Sequence, residues 1–218
     1  MRVEGVARAF LLLLGAAALP VAAHTALPPP PCYSPLNPAF ETPCYATVAE
    51  EGAFSLRDYG GVLDVTVVTT IDPTPSLYNG AINVLTYFTG TNIPGINVTR
   101  TVPLFFRARD DGEEFYASMA LPTSIFIDPS TAPTPQFPNN LPGFQPFPRA
   151  RFAAITFKAA TLPGILDFAY ACGELGEEIS KRGLKPVGPS AWNTTWATYS
   201  LQAATPTLNE CLIEVEAV

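Results

Sequence analysis

The sequence predicts an α+β fold that contains the same unit twice, a strand followed by a helix and a β-hairpin. Three observations favour this class. Two segments, 76–88 and 162–182, carry apolar residues at helical spacing. Short runs rich in Val, Thr and Ile surround them, as is typical of strands. The order strand, helix, hairpin occurs once in each half of the chain.

Composition limits the classes of protein that this chain can belong to. It has 218 residues, of which 48% are hydrophobic, so it can bury one sizeable core or two small ones. There are 24 prolines and only 14% charged residues, which is typical of a domain rich in strands and loops. The formal net charge of -7 disfavours nucleic acid or an anionic membrane as a partner, since both require a basic face.

The N-terminus has the pattern of a secretory signal peptide. Arg2 and Arg8 precede an apolar run, and Val21-Ala22-Ala23 places small residues at both cleavage positions. Residues 1–23 are therefore predicted to be a signal that is removed, which makes the protein secreted. A membrane anchor is the alternative, but the run is shorter than the roughly 20 apolar residues of a span. No other segment is apolar enough to cross a bilayer.

Cysteines and glycosylation sequons agree with secretion. The four cysteines allow three pairings, and both Asn97 and Asn193 begin an N-x-T acceptor sequence. Residues 24–43, rich in proline, are predicted to be an extended lead-in without periodicity, before a domain at 44–218.

In the first half, strands are predicted at 45–50, 54–59 and 62–71. A helix follows, with Ser76 as its cap and Gly90 at its end. The residues at helical spacing are Leu77, Ala81, Leu85 and Phe88. Segments 101–109 and 114–121 are predicted to form a hairpin around Asp110-Asp111-Gly112.

In the second half, a long proline-rich loop is predicted at 128–148, before a strand over RFAAITFKA at 151–159. A helix over 162–182 and two more strands, 192–202 and 209–217, complete the pattern. The helix residues predicted to share one face are Ile165, Phe168, Ala169, Cys172, Leu175 and Ile179.

One disulfide is predicted from these faces, and a second follows from the two cysteines that remain. Strand alternation places Cys211 on the core side with Ile213, and Cys172 lies on the apolar face of the second helix. If that helix packs on the sheet, the two thiols meet, and Cys32 and Cys44 then close the lead-in. Unpaired thiols packed in the core are the alternative.

Several motifs resemble the SOUL heme-binding family. That family has a helix that ends in a Y-I-x-G-x-N loop, followed by a Met-Thr-x-Pro-Val strand; this chain has YFTGTN at 87–92 and RTVPL at 100–104. Further similarity lies in the opening strands, at 45–48 and 55–59, and in the closing hairpin, at 196–206 and 209–213. The motifs occur in the family's order over residues 44–216.

The resemblance implies duplicated β-α-β-β units that form twisted antiparallel sheets, a distorted barrel, with two amphipathic helices packed on them. It also implies an apolar groove for heme beside the first helix. The candidate contacts for heme are Tyr78, Ala81, Ile82, Leu85 and Arg100.

The chain departs from the family at the points that would bind heme tightly. The first helix has no Lys or Arg, and the only histidine, His24, lies outside the matched region. Tyr78, Met119 or a reduced cysteine could ligate iron. The expectation is therefore a protein that binds heme or a related tetrapyrrole mainly by apolar contact. The alternative is an interaction domain that has lost heme. The sequence leaves the oligomeric state open.

Enzyme classes are disfavoured. Ser-His-Asp and Cys-His catalysis require a histidine within the domain, and an N-terminal copper site at His24 would require a second one. No zinc-type spacing of cysteines occurs. Adjacent carboxylates such as Glu177-Glu178 lie at turns or on a polar helix face, where solvated surface is the simpler interpretation. A non-enzymatic binder without a metal site is predicted.

Overall fold

The computed structural model describes residues 31–70, 75–93, 95–108, 114–126, 129–136, 143–147, 149–159, 163–188, 194–200 and 207–217. The predicted signal peptide, His24, Asn193 and the turn at 110–112 lie outside these ranges.

The described elements are two α-helices, a short 3-10 turn and thirteen strands. The helices are α1 (Pro75–Phe88) and α2 (Ile165–Lys181), and the 3-10 turn is Pro129–Thr131. The strands are β1 (Cys32–Tyr33), β2 (Glu41–Thr42), β3 (Tyr45–Glu51), β4 (Phe54–Tyr59), β5 (Val62–Thr70), β6 (Asn92–Ile93), β7 (Leu104–Ala108), β8 (Glu114–Ala120), β9 (Thr134–Pro135), β10 (Phe144–Phe147), β11 (Arg151–Ala159), β12 (Thr194–Thr198) and β13 (Thr207–Val215).

Nine strands form one antiparallel sheet in the order β10-β5-β8-β7-β12-β13-β11-β4-β3. Two units of identical topology make up its centre. In the first unit, β5-α1-β7-β8, strand β8 pairs with both β5 and β7. In the second unit, β11-α2-β12-β13, strand β13 pairs with both β11 and β12. The units meet where β7 pairs with β12. The predicted α+β fold with a duplicated β-α-β-β unit is confirmed.

Both helices pack on the same face of the sheet. In α1 the buried residues Ala81, Val84 and Phe88 follow i, i+3, i+7 spacing. The helix ends at Phe88, and Gly90 takes a φ of +104°, a conformation that suits glycine after a helix end. In α2 the buried residues are Phe168, Ala171, Leu175 and Ile179. Ala169, predicted on this face, is instead exposed, because the buried face is displaced from the predicted one toward Ala171.

The sheet is strongly curved, so that residues from its two ends meet on the face opposite the helices. Phe147 on edge strand β10 lies 5.1 Å from Tyr59 and 5.7 Å from Phe152, measured between ring centroids, although these residues belong to strands at the far end of the sheet order. The Tyr59 N–H donates to Ala150 O at 2.9 Å, which extends the pairing of β4 with β11 by one residue. Among the described strands, β10 and β3 remain unpaired edges. The sheet is therefore barrel-like and open, not a closed barrel.

Both predicted disulfides are present in the structure. Cys172–Cys211 joins α2 to β13, and Cys32–Cys44 closes the lead-in. The lead-in, predicted to be extended and without regular structure, contains a small sheet in its described part. Its strands β1 and β2 pair within the loop that the Cys32–Cys44 disulfide closes.

The prediction of a structureless loop at 128–148 was wrong in part. Phe144–Phe147 forms the edge strand β10 against Val62–Val65, and Thr134–Pro135 pairs with Asn92–Ile93. The prolines concealed the strand from sequence reasoning. Pro146 is tolerated there because an edge strand leaves one row of backbone donors unpaired.

Candidate functional site

An apolar groove lies beside α1, on the side of the helix that faces the junction of the two units. Its volume is about 300 Å³, at the lower end of the range for small-molecule sites. We name it the helix-1 groove. It is lined by Asn37 and Phe40 of the lead-in, Leu85 of α1, Arg100, Thr101, Val102, Leu104, Met119, and Thr198, Tyr199 and Ser200 after β12.

Two of the five residues predicted to contact a ligand line this groove, namely Leu85 and Arg100. Ile82 is 55% exposed and precedes Leu85 by three residues, so it lies on the same side of the helix. Ala81 is only 2% exposed and belongs to the core between α1 and the sheet. Tyr78 is within α1, but its side chain is outside the described part of the chain.

The lead-in forms one wall of the helix-1 groove and is fixed there by specific contacts. The Arg100 guanidinium lies over the Phe40 ring, 4.6 Å from its centroid. The Val102 N–H donates to Glu41 O at 2.8 Å, and Asn37 Nδ2 donates to Tyr199 O at 3.2 Å. Arg100 is the only charged residue among the lining residues, so an apolar groove here has one cation at its edge.

Behind the groove, Tyr199 connects to a buried ion pair inside the curve of the sheet. The Tyr199 hydroxyl donates to Glu210 Oε2 at 2.6 Å, and Arg57 donates to both Glu210 oxygens at 2.6 and 2.9 Å. Burial, reinforced by the negative charge of Glu210, raises the Tyr199 pKa well above its ordinary value. Burial disfavours the charged form of Arg57, but the hydrogen bonds and charge of Glu210 outweigh this and raise its pKa.

This buried network is structural. Glu210 also accepts a hydrogen bond from Thr156 Oγ1 at 3.1 Å, so each carboxylate oxygen has two partners. A carboxylate satisfied in this way has no free lone pair directed at a substrate, and breaking the pair would leave a buried charge. The network positions the Tyr199 wall of the groove.

The donor set of the groove fits an apolar ring better than it fits ligated iron. All four cysteines are in disulfides, and the Tyr199 hydroxyl is engaged by Glu210. Of the donors considered from sequence, the Met119 thioether lines the groove, but Met119 is buried among core residues. Within the described residues no group of three or more His, Cys, Asp or Glu side chains could hold a metal ion.

Sequence reasoning missed the lead-in residues Asn37 and Phe40, and the segment after β12. These residues reach the groove through contacts between distant parts of the chain, which local periodicity does not report. One signal was available. The Cys32–Cys44 disulfide, predicted from the sequence, implied that the segment between the two cysteines is held against the domain.

A model of the SOUL heme-binding protein family matches residues 40–213 of the chain. The chain belongs to this family. The helix-1 groove lies beside the first helix, where the resemblance led us to expect a groove. Among curated proteins, none matches this chain in sequence.

Solved structures share the fold of this SOUL domain at low sequence identity. The C-terminal domain of EcmrR is 14% identical with a TM-score of 0.51, and covers 76% of this chain and 98% of its own. An uncharacterized conserved protein from Listeria innocua is 10% identical with a TM-score of 0.52, and the match covers 77% and 94% of the two chains. A hydrolase from the same organism is 10% identical, has a TM-score of 0.50 and covers 78% and 94%. At these identities the likeness shows the fold alone.

The remaining predictions concern the surface and the compartment. Asn97, the acceptor of the first sequon, is exposed. The two disulfides agree with an oxidising environment. In the part of the chain that the structure describes, neither helix is long and apolar enough to span a membrane.

Proposed function

We propose that this protein is a secreted, glycosylated SOUL domain that binds heme or a related tetrapyrrole without catalysing a reaction. The ligand is held in the helix-1 groove mainly by apolar contact. The observation that carries the proposal is the combination of Leu85 and Arg100 in the lining of one apolar groove. Membership of the SOUL family supports the ligand class.

The binding mode follows from the groove's chemistry. The ring packs between Leu85 and the Leu104–Met119 floor, and its far edge extends over the exposed Ile82. A propionate takes charge-assisted hydrogen bonds from Arg100, the single cation of the lining. Ala81 contributes indirectly, since it sets the distance between α1 and the sheet.

A paired titration tests this binding mode. Hemin and metal-free protoporphyrin IX are titrated into the oxidised protein, with Soret absorption and tryptophan fluorescence as readouts. Because apolar contact dominates, the two dissociation constants are expected to agree within about fivefold, a difference of about 1 kcal/mol. Hemin binding that is tighter than protoporphyrin binding by much more than fivefold would show iron ligation and contradict the binding mode.

Two variants locate the site. Leu85→Glu places a charge in the groove, and we expect affinity for either ring to fall by at least about tenfold. Arg100→Gln is expected to weaken binding severalfold by removing the partner of the propionate. Val48→Glu is the control for an added charge, because Val48 is an exposed apolar residue on edge strand β3 and does not line the groove. Equal losses in all three variants, or a non-saturating titration of the parent, would favour the interaction domain without heme.

A further inference from the structure

A second groove lies beside α2, at the position in the second unit that corresponds to the helix-1 groove in the first. We name it the helix-2 groove. It has a volume of about 380 Å³ and is walled by Ala169, Cys172, Gly173 and Gly176 of α2, with Thr194, Trp196 and Ile213 on the sheet side.

The correspondence is positional. Leu104 of β7 pairs with Met119 of β8 in the floor of the helix-1 groove, and Thr194 of β12 pairs with Ile213 of β13 in the helix-2 groove. In each unit, the first residue of the shorter hairpin strand, β7 or β12, pairs with a residue near the end of the longer one, β8 or β13.

The helices correspond in the same way. Buried Ala81, Val84 and Phe88 of α1 have the spacing of Phe168, Ala171 and Leu175 of α2. That alignment places Cys172 where the first unit has Leu85, and both residues line their groove.

The indole of Trp196 places a polar N–H group at this groove. Its side chain is 7% exposed and lines the helix-2 groove, and its indole Nε1–H is buried without a hydrogen-bond partner among the described residues. A buried donor without an acceptor destabilises the folded state, so such groups are rare. An acceptor on a bound molecule would satisfy it.

The two glycines of this groove also favour a binding surface. Gly173 and Gly176 lie within α2, where glycine is less favourable than alanine. A Cβ atom at either position would meet nothing within 4 Å, so packing inside the chain does not require glycine there. Their absent side chains leave open the surface that borders Trp196.

The flank of α2 that borders the groove has no charge. At 100° per residue, the groove residues 169, 172, 173 and 176 occupy one flank of the helix, and its Asp, Glu and Lys side chains lie outside it. The groove therefore suits an uncharged apolar molecule.

We infer that the helix-2 groove is a second binding site, for a small, flat, uncharged ring compound with an oxygen acceptor. The ring lies over Gly173 and Gly176 against Trp196, and its acceptor takes the Nε1–H of Trp196. This site is separate from the helix-1 groove and does not depend on the function proposed for that groove.

Coumarin is the probe, because it is a flat, uncharged two-ring compound with a carbonyl acceptor. Naphthalene is the matched ligand, with two rings and no acceptor. The chain has two tryptophans, so Trp192→Phe leaves Trp196 as the only indole, and its Nε1–H gives a single indole resonance in a ¹⁵N-correlated NMR spectrum. Coumarin is expected to shift this resonance saturably and to bind about fivefold more tightly than naphthalene, the gain of one hydrogen bond to a buried donor.

A variant with Gly173→Leu and Gly176→Leu fills the groove with side chains that fit open space, and it should remove the coumarin response. Leu85→Glu disrupts only the helix-1 groove and should leave the response unchanged, so failure of one site is distinguished from failure of the other. A resonance that coumarin does not move would overturn the inference. So would equal affinity for coumarin and naphthalene, or a shift that depends on protein concentration alone, which would assign the groove to a second copy of the chain.

Discussion

The two β-α-β-β units have the same topology, yet they secure their helices by different means. Helix α2 is joined to the sheet by Cys172–Cys211, its start is capped by Asp167 Oδ2, which accepts from the Gly164 N–H at 2.7 Å, and Lys181 pairs with Glu178 in its last turn. Helix α1 has no acidic residue in its first turn and no basic residue in its last. Packing and the hydrogen bonds of Tyr87 and Asn92 hold it instead.

The difference shows that repeated topology fixes where a helix lies, whereas individual residues decide how it is retained. A helix retained by apolar packing is sensitive to any polar change in its buried face. A helix retained by a covalent bond is sensitive to loss of that bond. Substitutions in corresponding regions of the two units should therefore have unequal effects.

The largest effect is expected from a charge in the buried face of α1. Ala81→Glu would bury an unpaired carboxylate, and we expect the free energy of unfolding to fall by about 3–5 kcal/mol. The matched control in α2 is Ala169→Glu, because Ala169 is an exposed alanine and should change stability by less than about 0.5 kcal/mol. Urea denaturation followed by circular dichroism measures both. Similar losses in the two variants would contradict the placement of Ala81 in the core.

Loss of the disulfide in the second unit should rank next. Replacing Cys172 and Cys211 with Ala opens a loop of 39 residues, and the chain-entropy model gives a loss of about 3–4 kcal/mol. Replacing Cys32 and Cys44 opens a loop of 12 residues, with a loss of about 2–3 kcal/mol. Thermal unfolding of the two double variants ranks them. The reverse order would mean that the lead-in contributes more native contacts than its length implies.

A smaller effect is expected at Tyr87, whose hydroxyl donates to Pro133 O at 2.9 Å beneath the α1 face. Tyr87→Phe leaves that carbonyl without its donor and should cost about 1–2 kcal/mol.

Alkaline pH provides an independent check on Tyr87. Burial raises its pKa to about 12, whereas the unfolded side chain ionises near 10. Between these values the unfolded state binds fewer protons than the folded state, so stability falls as pH rises. The Phe variant should lose stability less steeply than the parent between pH 10 and 12. Parallel curves would show that Tyr87 does not contribute to the alkaline loss.

Most of the fold could be predicted from the sequence because each central element carries its own periodicity. The strands at 54–59 and 151–159, both helices and the Cys172–Cys211 disulfide follow from apolar spacing and strand alternation. The Cys32–Cys44 disulfide then follows as the remaining pair. Strand β10 could not be predicted, since its prolines conceal an edge position that only the neighbouring strand reveals.

The site was less predictable than the fold. Leu85 and Arg100 follow from motifs that lie close together in the chain. Phe40 and Tyr199 do not, because they reach the groove through pairing between distant segments. The role of Ala81 was also ambiguous, since helical spacing alone does not distinguish the face toward the core from the flank beside a groove.

The wall formed by Asn37 and Phe40 lies inside the loop closed by Cys32 and Cys44, which ties the completeness of the helix-1 groove to thiol oxidation. In a newly synthesised chain with reduced cysteines, no disulfide would constrain the segment that contains Asn37 and Phe40. Such a chain would bind a ring ligand weakly. For a chain that is exported, the order of events follows. The protein would cross the membrane empty and take up its ligand only after the compartment that forms disulfides has completed the site.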